Sequence, residues 1–395
     1  MKALGFSPKQ KFCGRRQNAK VAAGERSIVI FHVPPPWKHR RISLQRFLCI
    51  SKLWASRIRS RYFMKLFLNE SLKRPKSLVL VFRDNSLGLT ISSVHLKSTR
   101  EASSSSSSSA SPIIYHVTFH TRQRTTIAPS VHGLICYGPP SSLVVYNPCT
   151  RRSITLPKIK AGRRAINQYL GYDPINNDYK VLCITRGMPK LKNRRGLAEE
   201  IQVLTLGTQD SWRMTQDIIP PHSPVSEELC INGVLYYQAF IGTKLNESAI
   251  MSFDVRSEKL DLIKGPCNFR SFSKLTNYER KLAVIFYEKK VSGIIGLWVL
   301  EDASKEEWSK KTFVLPNLAA SATNSHILRF QKFRTTDADT GEIIFTPHSS
   351  LSGAVYCDLK NNRVRNFVKE GTTEHYIRCH ADSASSTQVE NLMFL

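Results

Sequence analysis

Two histidines four residues apart, His116 and His120, would share one face of a β-strand, because strand side chains alternate with a period of two. Such a pair could hold zinc, but a metal site needs further donors, and no Cys, Asp or Glu stands beside them in the sequence. His375, Cys379 and His380 form a looser group in a polar tail. The adjacent acids Glu199-Glu200 and Glu306-Glu307 sit in charged stretches and read as solvated residues rather than an acid–base pair. The chain contains no G-x-S-x-G elbow, no phosphate-binding G-x-x-x-x-G-K-[ST] loop and no H-E-x-x-H. No catalytic, cofactor-binding or metal-ligating residue is therefore assigned. A hydrolase or glycosidase assembled from distant loops is the remaining enzymatic reading, and no motif speaks for it.

The nine cysteines, odd in number, include no C-x-x-C. That pattern fits neither a disulfide framework nor a zinc ribbon. Several stand within apolar runs such as Val181-Leu182-Cys183-Ile184, where cysteine acts as a small hydrophobe. Reduced thiols point to the cytosol or nucleus, where the sequons at Asn69 and Asn246 carry no meaning. The longest apolar runs, Leu78–Phe82 and Ile294–Leu300, are far short of the roughly 18 residues of a membrane helix, so no membrane partner is expected.

The formal charge is +28, and it is uneven: residues 1–76 hold 19 of the 58 Lys and Arg but only two acids, Glu25 and Glu70. Such a field attracts polyanions. No RNP, KH, zinc-finger or helix-turn-helix pattern accompanies it, so a nucleic-acid partner rests on charge alone.

Four segments emerge. Residues 1–42 are a basic head without sustained period, broken by Pro34-Pro35-Pro36, and read as disordered. Residues 43–76 are helical: after Ser43, a plausible N-cap, Leu44, Phe47, Ile50, Trp54 and Ile58 recur at steps of three or four and line one face. Leu66 and Phe67 form a second short apolar patch before Pro75. Phe47 and Trp54 suit either the core of a small helical bundle or an interface anchor.

Residues 77–372 are strand after strand, interrupted at 101–112 by a stretch with seven consecutive serines, Ser103–Ser109, which cannot bury apolar area and reads as a disordered insertion. Residues 373–395 are a polar tail with room for a closing strand. One pattern recurs through the strand region: an Asn or Asp ends a strand, a polar turn follows, and a second strand returns. It is seen at Asn147, Asp254 and Asp358. Trp212 and Trp308 follow charged turns in matching places. Units begin near residues 131, 169, 231, 278 and 340, at the spacing of four-stranded propeller blades. A sixth unit could combine residues 78–125 with a C-terminal strand. The expected fold is mostly β, a short helical segment followed by a propeller-like domain, with an antiparallel β-sandwich as the alternative.

Residues 44–58, Leu-Gln-Arg-Phe-Leu-Cys-Ile-Ser-Lys-Leu-Trp-Ala-Ser-Arg-Ile, together with Arg61–Leu68, resemble the second half of a plant F-box. Downstream, Gly133-Leu134-Ile135-Cys136, Val145-Tyr146-Asn147-Pro148, Gly171-Tyr172-Asp173-Pro174 and Asp178-Tyr179-Lys180-Val181 are similar to motifs of the plant F-box-associated domain. Asn232-Gly233-Val234-Leu235-Tyr236 and Phe253-Asp254-Val255 continue the series. The resemblance implies a non-catalytic substrate receptor. Its helices, through Leu44, Phe47, Ile50, Trp54 and Ile58, would meet a Skp-type adaptor, and its β-domain would recruit a target protein that nothing in the sequence names. The opening acidic-apolar helix of a complete F-box has no counterpart: residues 33–42 are proline-rich and cationic, so the F-box looks incomplete and adaptor binding weakened.

Overall fold

The computed structural model describes residues 51–74, the strands within 77–120, and most of 126–393, with the longer breaks at 160–164, 188–195, 267–272, 288–293, 315–330, 348–352 and 369–379. The basic head, the serine tract, His375 and Cys379 lie outside the described residues. The chain divides into two units, Met1–Ala55 and Ser56–Leu395.

The described strands of the second unit form six antiparallel sheets. Strands β4 (Thr126–Ile127), β5 (Ile135–Gly138), β6 (Val144–Asn147) and β7 (Arg152–Thr155) pair in order. So do β8 (Ala165–Asp173), β9 (Asp178–Arg186), β10 (Ala198–Thr205) and β11 (Arg213–Met214). The next sheet pairs β12 (Ser223–Pro224) and β13 (Leu229–Ile231) with β14 (Val234–Ile241), followed by β15 (Glu247–Asp254) and β16 (Leu260–Lys264). Two more are β17 (Lys274–Tyr278) to β20 (Glu307–Val314) and β21 (Gln331–Thr336) to β24 (Arg363–Val368), the latter containing β22 (Ile343–Pro347) and β23 (Gly353–Asp358). Between β17 and β20 run β18 (Lys281–Tyr287) and β19 (Ile294–Asp302).

The sixth sheet joins the two ends of this region. Strands β1 (Ser77–Arg83), β2 (Gly88–His95) and β3 (Ile113–His120) take β25 (His380–Gln388) as a fourth, antiparallel to β1. Neighbouring sheets meet along β5 and β8, β8 and β13, β13 and β17, β17 and β21, and β21 and β25. The result is a β-propeller, and the sandwich alternative is set aside.

The recurrent Asn and Asp of the sequence are the device that turns these blades. Side-chain oxygens of Asn147, Asp173, Asp254, Asp302, Asp337 and Asp358 accept backbone N–H bonds from residues two or three ahead; Ile175 N to Asp173 Oδ1 is 2.8 Å. Four residues beyond, Arg151, Asn177, Glu258, Glu306 and Gly341 take positive φ, and Arg151, Asn177, Glu258 and Gly341 donate back to the starting carbonyl. The short polar side chain substitutes for a missing backbone partner, and Gly or Asn tolerates the left-handed step. Within each blade built of consecutive strands, the turns from first to second and from third to fourth strand lie at one end. The second-to-third connections and the links between blades lie at the other. All six side-chain-capped turns are at the first end.

The ring is also stitched between blades. Trp212 Nε1 donates to Pro157 O at 2.8 Å, and Trp308 Nε1 to Lys264 O at 3.1 Å. In both cases the indole reaches the end of the preceding blade's outer strand, which explains the matching tryptophans. Glu258 accepts from Lys180 Nζ at 2.6 Å and from Arg213, joining the third and fourth blades by chain order of their turns.

After β25 the chain crosses to the next blade. The Asn391 side chain donates to His132 O at 2.9 Å and to Tyr179 Oη at 2.6 Å, and its Oδ1 accepts from Met393 N at 2.7 Å. Asn147 Nδ2 donates to Asn391 O at 3.1 Å and Met393 O at 3.0 Å. Val389 packs in the same core as Leu134, Val145 and Tyr179. A Cβ at Gly133, φ +91°, would stand 2.7 Å from Val389 O, so only glycine admits this close approach.

Candidate interaction surfaces

Helix α1 (Lys52–Ile58) begins where Ser51 Oγ accepts the N–H of Trp54 at 3.2 Å. Helix α2 (Arg61–Leu72) is capped by Ser60, whose Oγ accepts from Phe63 N at 3.2 Å. On α2, Phe67, Leu68 and Ser71 are buried, and Leu68 and Leu72 pack with Val389, Leu143 and Val145 of the propeller core. The other side of the helix carries Tyr62 and Leu66, one turn apart and 75% and 45% exposed. Arg74, just past the helix, lies 3.4 Å from Glu390, so the end of α2 and the closing segment are tied together.

Of the residues expected to meet an adaptor, Leu44, Phe47 and Ile50 lie outside the described residues. Trp54 is 40% exposed, and its neighbour Leu53 is 65% exposed. Ile58 is 2% exposed: its side chain packs within the chain instead of standing on the surface. Tyr62 is not among the residues expected to meet an adaptor, and the second apolar patch of the sequence, Leu66 and Phe67, divides between the two faces of α2: Leu66 is exposed and Phe67 buried.

Among the described residues, His222 and several tyrosines and cysteines gather in the interior. His222 is wholly buried, its Nε2 2.9 Å from Tyr237 Oη and its Nδ1 2.7 Å from Pro220 O. Burial lowers its pKa and keeps the ring neutral. Tyr237 stacks on Tyr169 at 4.8 Å, and burial pushes both phenols up. Both imidazole nitrogens are thus engaged inside the chain. The Cys136 and Cys183 thiols are raised by burial, Cys230 to about 11 and Cys357 to about 12, so they stay protonated and apolar. His116 lies within β3 and His380 opens β25. Among the described residues no three His, Cys, Asp or Glu come together as a metal site, and no helix is long and apolar enough to cross a membrane.

The described residues thus form a propeller that takes in its own C-terminal strand, preceded in sequence by two short helices with exposed apolar residues. Residues 77–392 match the family described as the F-box associated beta propeller domain, and the chain belongs to that family of plant F-box proteins. Putative F-box protein At4g38870 of Arabidopsis thaliana is 73% identical over all of both chains. F-box protein At2g21930 of the same plant is 42% identical over 89% of this chain and 90% of its own. F-box/kelch-repeat protein At3g04660, also from Arabidopsis thaliana, is 31% identical over 85% of each.

Proposed function

We propose that this chain is the substrate-receptor subunit of a Skp–cullin–F-box ubiquitin ligase, acting in the cytosol or nucleus. The propeller recruits a target protein and the helical segment contacts the adaptor. The observation that carries this reading is the pairing, in one chain, of an F-box-associated propeller with helices that leave Leu53, Trp54, Tyr62 and Leu66 exposed. Large apolar side chains on short surface helices suit an interface. The chain supplies no chemistry; its work is to bring a target close to a transferring enzyme.

A second reading is an interaction module that no longer engages the adaptor. It is favoured by the sequence of residues 33–42, where Pro34-Pro35-Pro36 and Lys38, His39, Arg40 and Arg41 stand in place of an acidic-apolar helix. Titration of the full chain against the adaptor separates the two. The comparison is a chimera whose residues 1–42 are exchanged for a complete opening helix. A loss of about 3 kcal/mol in the natural chain corresponds to roughly a hundredfold weaker affinity. Equal and tight binding of both would discard the truncation argument, and no binding by either would discard the receptor reading.

A further inference from the structure

Each blade ends in an outer strand whose far edge has no neighbour in its own sheet. In β11 that edge is two residues long, in β7 four and in β16 five. The end of β16 is also occupied: Lys264 N donates to Glu306 Oε1 at 2.9 Å, and Lys264 O accepts from Trp308. Strand β20 runs for eight residues, is the last strand of its sheet and pairs with β19 alone. Every second residue of such a strand turns both its N–H and its C=O away from its partner. Among the described residues, those outward groups of β20 meet no backbone partner. A row of open donors and acceptors at this spacing is matched by another extended chain.

The side chains along β20 decide which chain fits. Lys310, Thr312 and Val314 are exposed and share one face of the sheet, and Val314 is 64% exposed. On the same face Trp298 stands opposite Lys310, and Phe286 covers Gly296. The Lys310 ammonium lies 5.7 Å from the Phe286 ring centroid and 5.8 Å from that of Trp298, and among the described residues it meets no carboxylate. Lys311 turns to the other face, where its ammonium lies 4.9 Å from the Tyr278 ring centroid.

Two adjacent lysines at the middle of an open edge disfavour a second copy of this chain as its occupant. Strands paired about a two-fold axis set the residue on the axis against itself. The two registers that overlap β20 most with its own copy are centred on Lys310 and on Lys311, and each sets a lysine directly against a lysine. Like charges so placed are destabilising, and lysine on an edge guards against edge-to-edge association. The same two lysines attract a strand with carboxylates at its middle. Val314, left in water at one end, offers a neighbour to an apolar side chain four residues from the acid on the same face.

We infer that the open edge of β20 is a docking strand for the recruited protein, taking an extended segment with two adjacent acidic residues opposite Lys310 and Lys311 and an apolar residue opposite Val314. The inference rests on the substrate-receptor reading and gives the target segment its chemistry. Backbone pairing supplies the hold, and the charges fix register and choice of partner.

The test titrates the full chain against a fluorescent peptide, Ser-Val-Thr-Val-Glu-Glu-Ser-Thr. Lys310→Glu with Lys311→Glu weakens binding by about tenfold or more. A peptide with lysines in place of its glutamates binds that variant better than it binds the natural chain. Arg151→Glu with Lys158→Glu, the same charge change at exposed sites beside the second blade, leaves binding of the first peptide unchanged. N-methylation of alternate peptide amides separates strand pairing from charge attraction: blocking one set abolishes binding, and blocking the other leaves it. Thermal unfolding checks each variant; if the reversed pair does not fold, Lys310→Gln with Lys311→Gln takes its place, with a smaller loss expected. No peptide binding, equal losses from the two pairs of reversals, or indifference to both sets of N-methyl groups would each overturn the inference. So would a dimer of the natural chain that the peptide dissociates, which would give the edge to a second copy. Adaptor affinity is measured on the same chain. Adaptor binding without peptide binding defeats the docking strand alone, whereas peptide binding without adaptor binding defeats the receptor reading and leaves the strand.

Discussion

The capped-turn end and the connection end of the propeller obey different rules. At the first, short side chains close turns of fixed length, and carboxylates are spent on backbone N–H groups or on lysines and arginines of the chain. At the second, a described connection such as residues 242–246, between β14 and β15, stands largely exposed. At the first end Asn147, Asp173 and Asp337 are buried, so the loss of one of these side chains is costly, whereas the caps at Asp302 and Asp358 are exposed. At the second end Lys244 stands in water, where a single change costs little.

The largest test of this contrast is at the closing segment. Asn391 is 3% exposed; its side chain donates to His132 O in the second blade and to Tyr179 Oη in the third, and accepts from Met393 N within the closing segment. Asn391→Ala leaves His132 O and Met393 N without those partners. It is expected to destabilise the propeller by about 3 kcal/mol, measured by denaturant unfolding. A loss under about 1 kcal/mol would show that β25 pairing alone closes the ring.

Next is Asp173, 1% exposed, whose carboxylate accepts from Ile175 N, Asn176 N and Asn176 Nδ2. Asp173→Ala is expected to cost about 2 kcal/mol. Lys244→Ala, an exposed change in the β14–β15 connection, should stay within about 0.5 kcal/mol. If the two variants unfold alike, the distinction between the ends fails.

A smaller effect comes with pH. The folded pKa of His222 is lowered from 6.5 by burial, so the unfolded chain takes up a proton that the folded chain refuses. The resulting stability is present above pH 6.5 and declines as pH falls below it. His222→Gln should flatten the stability profile between pH 6.5 and 5, while the pairing of Glu258 with Lys180 and Arg213, which lowers the Glu258 pKa below 4.5, keeps a decline further into acid. A profile unchanged by His222→Gln would mean that the imidazole titrates equally in both states.

The smallest effect is expected from deleting Ser103–Ser109. Loop-closure entropy changes only logarithmically with length, so stability should move by less than about 1 kcal/mol. A fall of several degrees in melting temperature would indicate that the tract makes contacts.

Local order was legible in the chain because its causes are local. Asn147, Asp254 and Asp358 end strands and begin turns through their own side chains, two or three residues ahead. The blade spacing and the matching places of Trp212 and Trp308 repeat because each blade solves the same packing problem. Even the mixed sheet of N-terminal strands with a C-terminal one could be anticipated, since five units with unmatched strands at both ends leave a ring one blade short. What only the tertiary structure decided has partners far apart in sequence. Asn391 meeting His132 and Tyr179, Ile58 turning inward while Tyr62 stays exposed, and His222 settling against Tyr237 depend on which surfaces the closed ring brings together.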